Sequence, residues 1–300
     1  MDIQAESTAA DAPEWYRKAI AEDADTTGLT VDGTRVTVRS WGPVDADAAV
    51  VLVHGGSAHS HWWDHIAPML GDDRRVVALD LSGHGDSDRR SAYSLDAWSE
   101  EVAAVCAMPG MPADPILVGH SMGGWVTLNC TIKHRDLVGG VVVIDSPIRE
   151  LSPEEEAAAD NRAFGPLKVY ADREAALARF HPVPHQEHSL PYVLRHIAEK
   201  SLREVPGGWS WKFDPTMFGR KMPRPELLER VDVRVALFRA ENGLVTPEIG
   251  DHMYTMLGRR APVIELPLAG HHPMLDQPLP LIVALRTILA DWEHSYPLGR

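Results

Sequence analysis

Cysteine is scarce. Cys106 and Cys130 are the only two in 300 residues, too few for a disulfide framework or a cysteine-rich zinc site. Both lie in apolar helical contexts, so both are expected to be buried free thiols. Long apolar runs are missing as well, and nothing approaches the roughly 18 residues of a membrane-spanning helix. Residues Met1 to Pro13 lack the basic start and apolar stretch of a secretory leader. A cytoplasmic protein with no membrane contact is the expectation. Positive charge is short too: 29 Lys and Arg face 43 Asp and Glu, a formal net charge of −14. A nucleic-acid binder needs a basic face to displace counterions from phosphate, so that class is excluded. The same deficit opposes docking on anionic membranes. Internal repeats and low-complexity tracts are also missing.

What remains is ordinary globular composition, 44% hydrophobic and 24% charged. Short apolar runs alternate with helical patterns. Strands are expected at Val36 to Trp41, Ala49 to Val53, Arg75 to Leu81, Pro115 to Val118 and Val138 to Ile144. Further strands are expected at Val231 to Phe238 and Val263 to Pro267. Helices are expected around Glu14 to Glu22, then from Ser94 to Cys106, Trp125 to His134, Pro247 to Leu257 and Leu279 to Trp292. This is an α/β pattern, a mostly parallel central sheet covered by helices on both faces. Residues 147–226 break it with prolines, helical stretches and no strand run. They read as an insertion between two parts of one core, 28–146 and 227–300, with residues 1–27 as a peripheral extension carrying a short helix.

The chemistry-bearing motifs lie where strands end, on the edge where open α/β sheets bind ligands. Gly119-His120-Ser121-Met122-Gly123 joins an apolar strand to a helix. Such a turn exposes a serine hydroxyl, and glycines on either side remove side chains that would clash. Ser121 is the candidate nucleophile. His54-Gly55-Gly56 ends an earlier strand. Backbone N–H groups there can stabilise an oxyanion, so the Gly56 and Met122 amides are candidate donors, with Ser57 as the alternative. Gly270-His271-His272 follows the last strand, and a histidine there can reach the serine as general base. His271 is that candidate; His272 is expected to pack or to line the pocket. His59, His61 and His65 do not form a His-Glu-x-x-His motif, so no metal is expected.

Taken in order, Leu52-Val53-His54-Gly55-Gly56, Asp80-Leu81-Ser82-Gly83-His84-Gly85-Asp86-Ser87, Gly119-His120-Ser121-Met122-Gly123-Gly124 and Gly270-His271 resemble the α/β-hydrolase superfamily. The resemblance implies an α/β-hydrolase fold, a Ser-His-acid triad and no cofactor. It also implies that 147–226 is a helical cap over the site. The family's acid usually stands a few residues after the strand that follows the cap, but here Gly243 occupies that place. Asp145, at the end of the strand after the nucleophile helix, is the candidate acid, with Glu241 as the alternative. Asp80, Gly83, Gly85 and Ser87 are expected to be structural. In the cap, Trp211 and Phe218 are candidate pocket walls. Together these imply a hydrolase of an apolar carboxylic ester or lactone. A carbon–carbon bond hydrolase or lyase on the same triad, or a hydrolase-like receptor for a small molecule, stays open. The oligomeric state cannot be read from the sequence.

Overall fold

The computed structural model describes residues 12–152, 154–155, 166–217 and 223–295. The central sheet is built from β1 (Asp25–Val31), β2 (Thr34–Trp41), β3 (Ala49–Val53), β4 (Arg75–Leu79) and β5 (Ile116–His120). Beyond them lie β6 (Gly140–Ile144), then β9 (Arg234–Asn242) and β10 (Val263–Gly270). Their order is β1-β2-β4-β3-β5-β6-β9-β10, with only the β1–β2 and β2–β4 pairs antiparallel.

The β-branched run of β3 is continuous because both of its faces are covered. Val50 and Leu52 belong to one apolar layer, Val51 and Val53 to the other. Helix α1 (Glu14–Ala21) lies on the first layer, as does the C-terminal helix, while α2 (Leu95–Cys106) and α3 (Met122–Lys133) cover the second. Ser94 caps α2 by accepting the Ala97 N–H at 3.1 Å. Both cysteines are free and buried, and burial raises both thiols, Cys106 to about 12.

The N-terminal segment is more tightly integrated than a peripheral extension. Tyr16 is buried in the core layer and its hydroxyl donates to the Tyr192 carbonyl at 3.2 Å. The edge strand β1 is an element that the sequence pattern misses. Its residues are mostly exposed, so Asp25-Thr-Thr-Gly-Leu-Thr-Val31 shows no alternation. Its one signal is the Asp32-Gly33 turn, where both residues have positive φ (49° and 75°), as the tight turn of a twisted hairpin requires.

The insertion departs from a purely helical reading. It holds α4 (Arg173–Leu177) and α5 (Pro191–Lys200), followed by a hairpin of β7 (Leu202–Val205) and β8 (Gly208–Trp211). The turn at Pro206-Gly207-Gly208 reads as loop in the sequence, and strands of four residues are too short to show a period. After it come α6 (Glu226–Glu229), α7 (Pro247–Met256), α8 (Pro273–Asp276) and α9 (Pro278–His294). Val193, Leu194, Ile197 and Ala198 give α5 one buried face. Polar contacts also fasten it to the core. His196 Nε2 and His61 Nδ1 each donate to Asp64 Oδ2 at 2.8 Å, and Arg39 pairs with Asp64 Oδ1. Burial alone would raise the Asp64 carboxyl, but its imidazole and guanidinium partners hold it well below the usual carboxylate range. Among the described residues no helix is long and apolar enough to cross a membrane.

Candidate active site

Sheet register places the site. His120 pairs with Ile144, and Ile144 with Phe238. Ser121 and Asp145 are therefore the first residues past neighbouring strand ends. The Ser121 N–H bonds to the Ile144 carbonyl at 3.0 Å, and the Asp145 N–H to the Phe238 carbonyl at 2.8 Å. Ser121 sits at φ 52°, ψ −121°, a strained conformation for a residue with a side chain. Its neighbours explain how the turn can be so tight. A Cβ on Gly119 would lie 2.4 Å from the Gly123 carbonyl oxygen, and one on Gly123 would lie 2.3 Å from that of Val53.

Three side chains meet there. His271 Nε2 lies 3.0 Å from Ser121 Oγ, and His271 Nδ1 lies 2.7 Å from Asp145 Oδ2. Asp145 also accepts the N–H groups of Leu244 at 2.7 Å and Val245 at 3.1 Å, with that of Ala240 at 3.4 Å. Surrounded by donors, it acts as acceptor only, so the His271 proton stands on Nδ1. Nε2 then presents its lone pair to the serine hydroxyl. Asp145 and His271 are buried, while Ser121 is partly open. Glu241, the alternative acid, is exposed and accepts the Leu268 N–H at 2.6 Å instead. Gly243 leaves room for the Asp145 side chain. A Cβ there would lie 2.3 Å from Asp145 Oδ2, so the carboxylate fills the space of a side chain at 243.

The remaining candidates are placed as follows. Met122 opens α3 directly behind Ser121, and Gly56 and Ser57 form the turn after β3. A Cβ on Gly55 would lie 3.2 Å from the Ser121 Cβ, so this turn packs against the serine. Gly56 and Ser57 line a cavity of about 330 Å³ between core and insertion, and Trp211 lines it too. His272 does not. It is buried behind the site, its ring centroid 4.6 Å from that of His271 and 5.3 Å from those of His120 and Trp62. Its backbone N–H donates to Gln186 Oε1 at 2.8 Å. Phe218 lies outside the described residues. Asp80 is structural: it accepts the N–H groups of Ser60 at 2.6 Å and Asp86 at 2.8 Å.

Two supporting residues escape sequence reasoning. His120, the variable position of the serine motif, donates from Nε2 to the His271 carbonyl at 2.7 Å. Gln186, from the insertion, brackets His272 through its amide, donating to the His272 carbonyl at 3.3 Å. Neither has a local signal, because each partner lies more than eighty residues away in the chain. Two sets of potential ligand atoms also converge, those of His120, His271 and His272 and those of His61, Asp64 and His196. In the first, His271 spends both ring nitrogens on Asp145 and Ser121; in the second, Asp64 Oδ2 already accepts from both imidazoles.

Burial pushes five histidines of this region down: His54, His59 and His272, with His65 to about 4 and His120 to about 3. Unfolded, each would bind a proton near pH 6.5, whereas the native protein keeps them neutral. The unfolded chain therefore binds more protons. Stability is complete above about pH 6.5 and is lost as pH falls toward the native values. His65 Nε2 bonds to the Met274 carbonyl at 2.8 Å, joining the 60–70 segment to α8. Urea unfolding at pH 7 and pH 5 is expected to show a smaller stability loss for His65→Gln than for wild type, by about 2 kcal/mol. Equal losses in the two proteins would contradict this.

A strained serine at the end of a central parallel strand, with its histidine and acid delivered from later strand ends, defines the α/β class of hydrolases. The chain belongs to the alpha/beta hydrolase family, whose model matches residues 50–285, and it is a hydrolase. It is 26% identical over 292 residues to esterase Rv0045c of Mycobacterium tuberculosis, covering 90% of this chain and 94% of that one. It is 27% identical over 241 residues to a pimeloyl-[acyl-carrier protein] methyl ester esterase of Neisseria meningitidis, covering 77% of this chain and 90% of that one. Among solved structures, E-2-(acetamidomethylene)succinate hydrolase superposes with a TM-score of 0.77 at 22% identity, over 89% of this chain and 99% of the other.

Proposed function

We propose that the protein hydrolyses a carboxylic ester or lactone through an acyl-enzyme, with Ser121 as nucleophile, His271 as base and Asp145 as the triad acid. The carrying observation is the hydrogen-bond chain from Asp145 Oδ2 through His271 to Ser121 Oγ, at 2.7 and 3.0 Å. Two relatives named as esterases support ester as the bond class.

In the first half-reaction Ser121 Oγ bonds to the carbonyl carbon as its proton passes to His271 Nε2. The carbonyl oxygen becomes an oxyanion, held by the N–H groups of Gly56 and Met122. Asp145 stabilises the imidazolium and keeps its orientation. Collapse breaks the carbon–oxygen bond to the alcohol, which leaves with the proton from Nε2. In the second half water gives a proton to His271 and adds to the acyl carbon. Collapse then releases the acid and returns the proton to Ser121. His120 fixes the His271 backbone, and the insertion acts as a lid that keeps bulk water from the acyl group.

An alkyl fluorophosphonate tests this directly. It is expected to label Ser121 at one equivalent, seen by peptide mass spectrometry, with loss of esterase activity in proportion. His271→Ala should slow labelling by orders of magnitude, since the serine then has no base. Full labelling with activity retained, or labelling at another residue, would overturn the assignment.

A further inference from the structure

The cavity lined by Gly56 and Ser57, in the turn that packs against Ser121, gathers cations although the chain is acidic. Carboxylates outnumber cations 43 to 29 in the whole sequence. Yet among the described residues the cavity wall carries Lys168, Arg179 and Lys212 and no Asp or Glu. Lys212 is balanced from behind by Asp86, at 2.8 Å. Lys168 lies over the Tyr170 ring, with Nζ 5.2 Å from its centroid. Among the described residues neither Lys168 nor Arg179 has an ion-pair partner. The rest of the wall is largely apolar, with Trp62, Phe180, Trp211 and Phe213.

We propose that this cavity selects an ester bearing a carboxylate, such as the half-ester of a dicarboxylic acid, with its methylene chain on the aromatic wall and its free carboxylate at Lys168 and Arg179. This deepens the ester-hydrolase reading, on which it rests, and revises the apolar ester expected from the sequence. The physical reason is differential solvation. A neutral chain would crowd two uncompensated cations without replacing their water, whereas a carboxylate accepts charge-assisted hydrogen bonds, including the forked pair that a guanidinium offers. The cavity volume of about 330 Å³ is at the lower end for small-molecule sites, which suits a short chain. Net charge sets solubility and long-range repulsion; the local pair of cations decides which end of a substrate is read.

The test compares monomethyl adipate with methyl hexanoate, a pair of like length that differs in the terminal charge. Wild type is expected to favour the half-ester in kcat/KM by roughly tenfold at low salt, the combined worth of two partly exposed ion pairs. The ratio should fall toward one in the double variant Lys168→Gln, Arg179→Gln. It should also fall for wild type in roughly 0.5 M NaCl, where the screening length is only a few ångströms. The charge-conserving exchange Lys168→Arg, Arg179→Lys should keep most of it. A mirror pair, 4-carboxybutyl acetate against pentyl acetate, asks the same of the alcohol side, and a preference in either pair supports the proposal. Ratios near one in both pairs, a ratio untouched by the double Gln variant, or no cleavage of any carboxylate ester would overturn it. Hydrolysis that persists in Ser121→Ala would instead overturn Ser121 as the nucleophile, and failure to cleave any of the four esters, charged or neutral, would overturn the ester-hydrolase reading itself, so the failures are distinguishable.

Discussion

Ser121→Ala is expected to lower kcat for a short ester by about a millionfold, to a residual rate owed to binding and oxyanion stabilisation alone. The size follows from the division of labour in the site. In the proposed mechanism the Oγ atom forms the covalent bond, and no second nucleophile stands beside it among the described residues. Asp145 is committed to His271 and backbone amides, and both cysteines are buried in the layer beneath α2 and α3. The variant should fold normally. Ser121 Oγ has its hydrogen bond with His271 and does not cap α3. Alanine at φ 52° bears the same Cβ strain as serine, so the backbone cost is unchanged. Thermal unfolding within a degree or two of wild type, together with loss of turnover, is the result that assigns the loss to chemistry. A variant that retains even a hundredth of wild-type kcat would show that Ser121 is not the nucleophile.

How much of this site could be read in advance depends on how local its causes are. The strand β3 was legible because a buried parallel strand needs no alternation, and Ala49 to Val53 obeys that alone. The serine turn was legible because its glycines answer a steric demand within five residues. His271 and Asp145 were legible as residues just past strand ends, since register carries strand ends to one edge. The choice between Asp145 and Glu241 rested on a vacancy at Gly243, and the structure gives that vacancy a volume, filled by the Asp145 carboxylate. Tertiary convergence was the illegible part. His120 meets His271 across 151 positions and Gln186 meets His272 across 86. Lys168, Arg179 and Lys212 gather on one wall from separate loops, and no window of sequence brings them together. Composition gave no guide to them, because a net charge averages over surfaces that never see the substrate.

The acid offers the sharper test of how the site is built. Asp145→Asn is expected to lower kcat by about ten thousandfold with little change in fold, because shape is kept and only acceptor capacity is lost. Oδ1 accepts from Val245 and Ala240, whereas Oδ2 faces both His271 Nδ1 and the Leu244 N–H, so an amide that keeps its oxygen at the Oδ1 place turns its NH₂ toward His271 Nδ1 and leaves the Leu244 N–H unpaired. That arrangement favours the tautomer with its proton on Nε2, and the serine is left without a base. Glu241→Gln should stay within a few-fold of wild type, since Glu241 serves the Leu268 amide at 2.6 Å and not the imidazole. The reverse pattern would move the acid to Glu241. A relocation then separates the carboxylate's position from its place in the chain. Because a Cβ at 243 falls 2.3 Å from Asp145 Oδ2, Gly243→Asp alone puts two carboxyl groups in one space and should be inactive. Combined with Asp145→Gly, it has room. Glycine also relieves the positive φ of 42° at position 145. The double variant is expected to recover about a hundredfold or more over Asp145→Asn, since a carboxylate near the same point again orients the imidazole. A double variant no better than Asp145→Asn would mean that the amides of Leu244 and Val245 hold the acid in a geometry that β9 cannot supply.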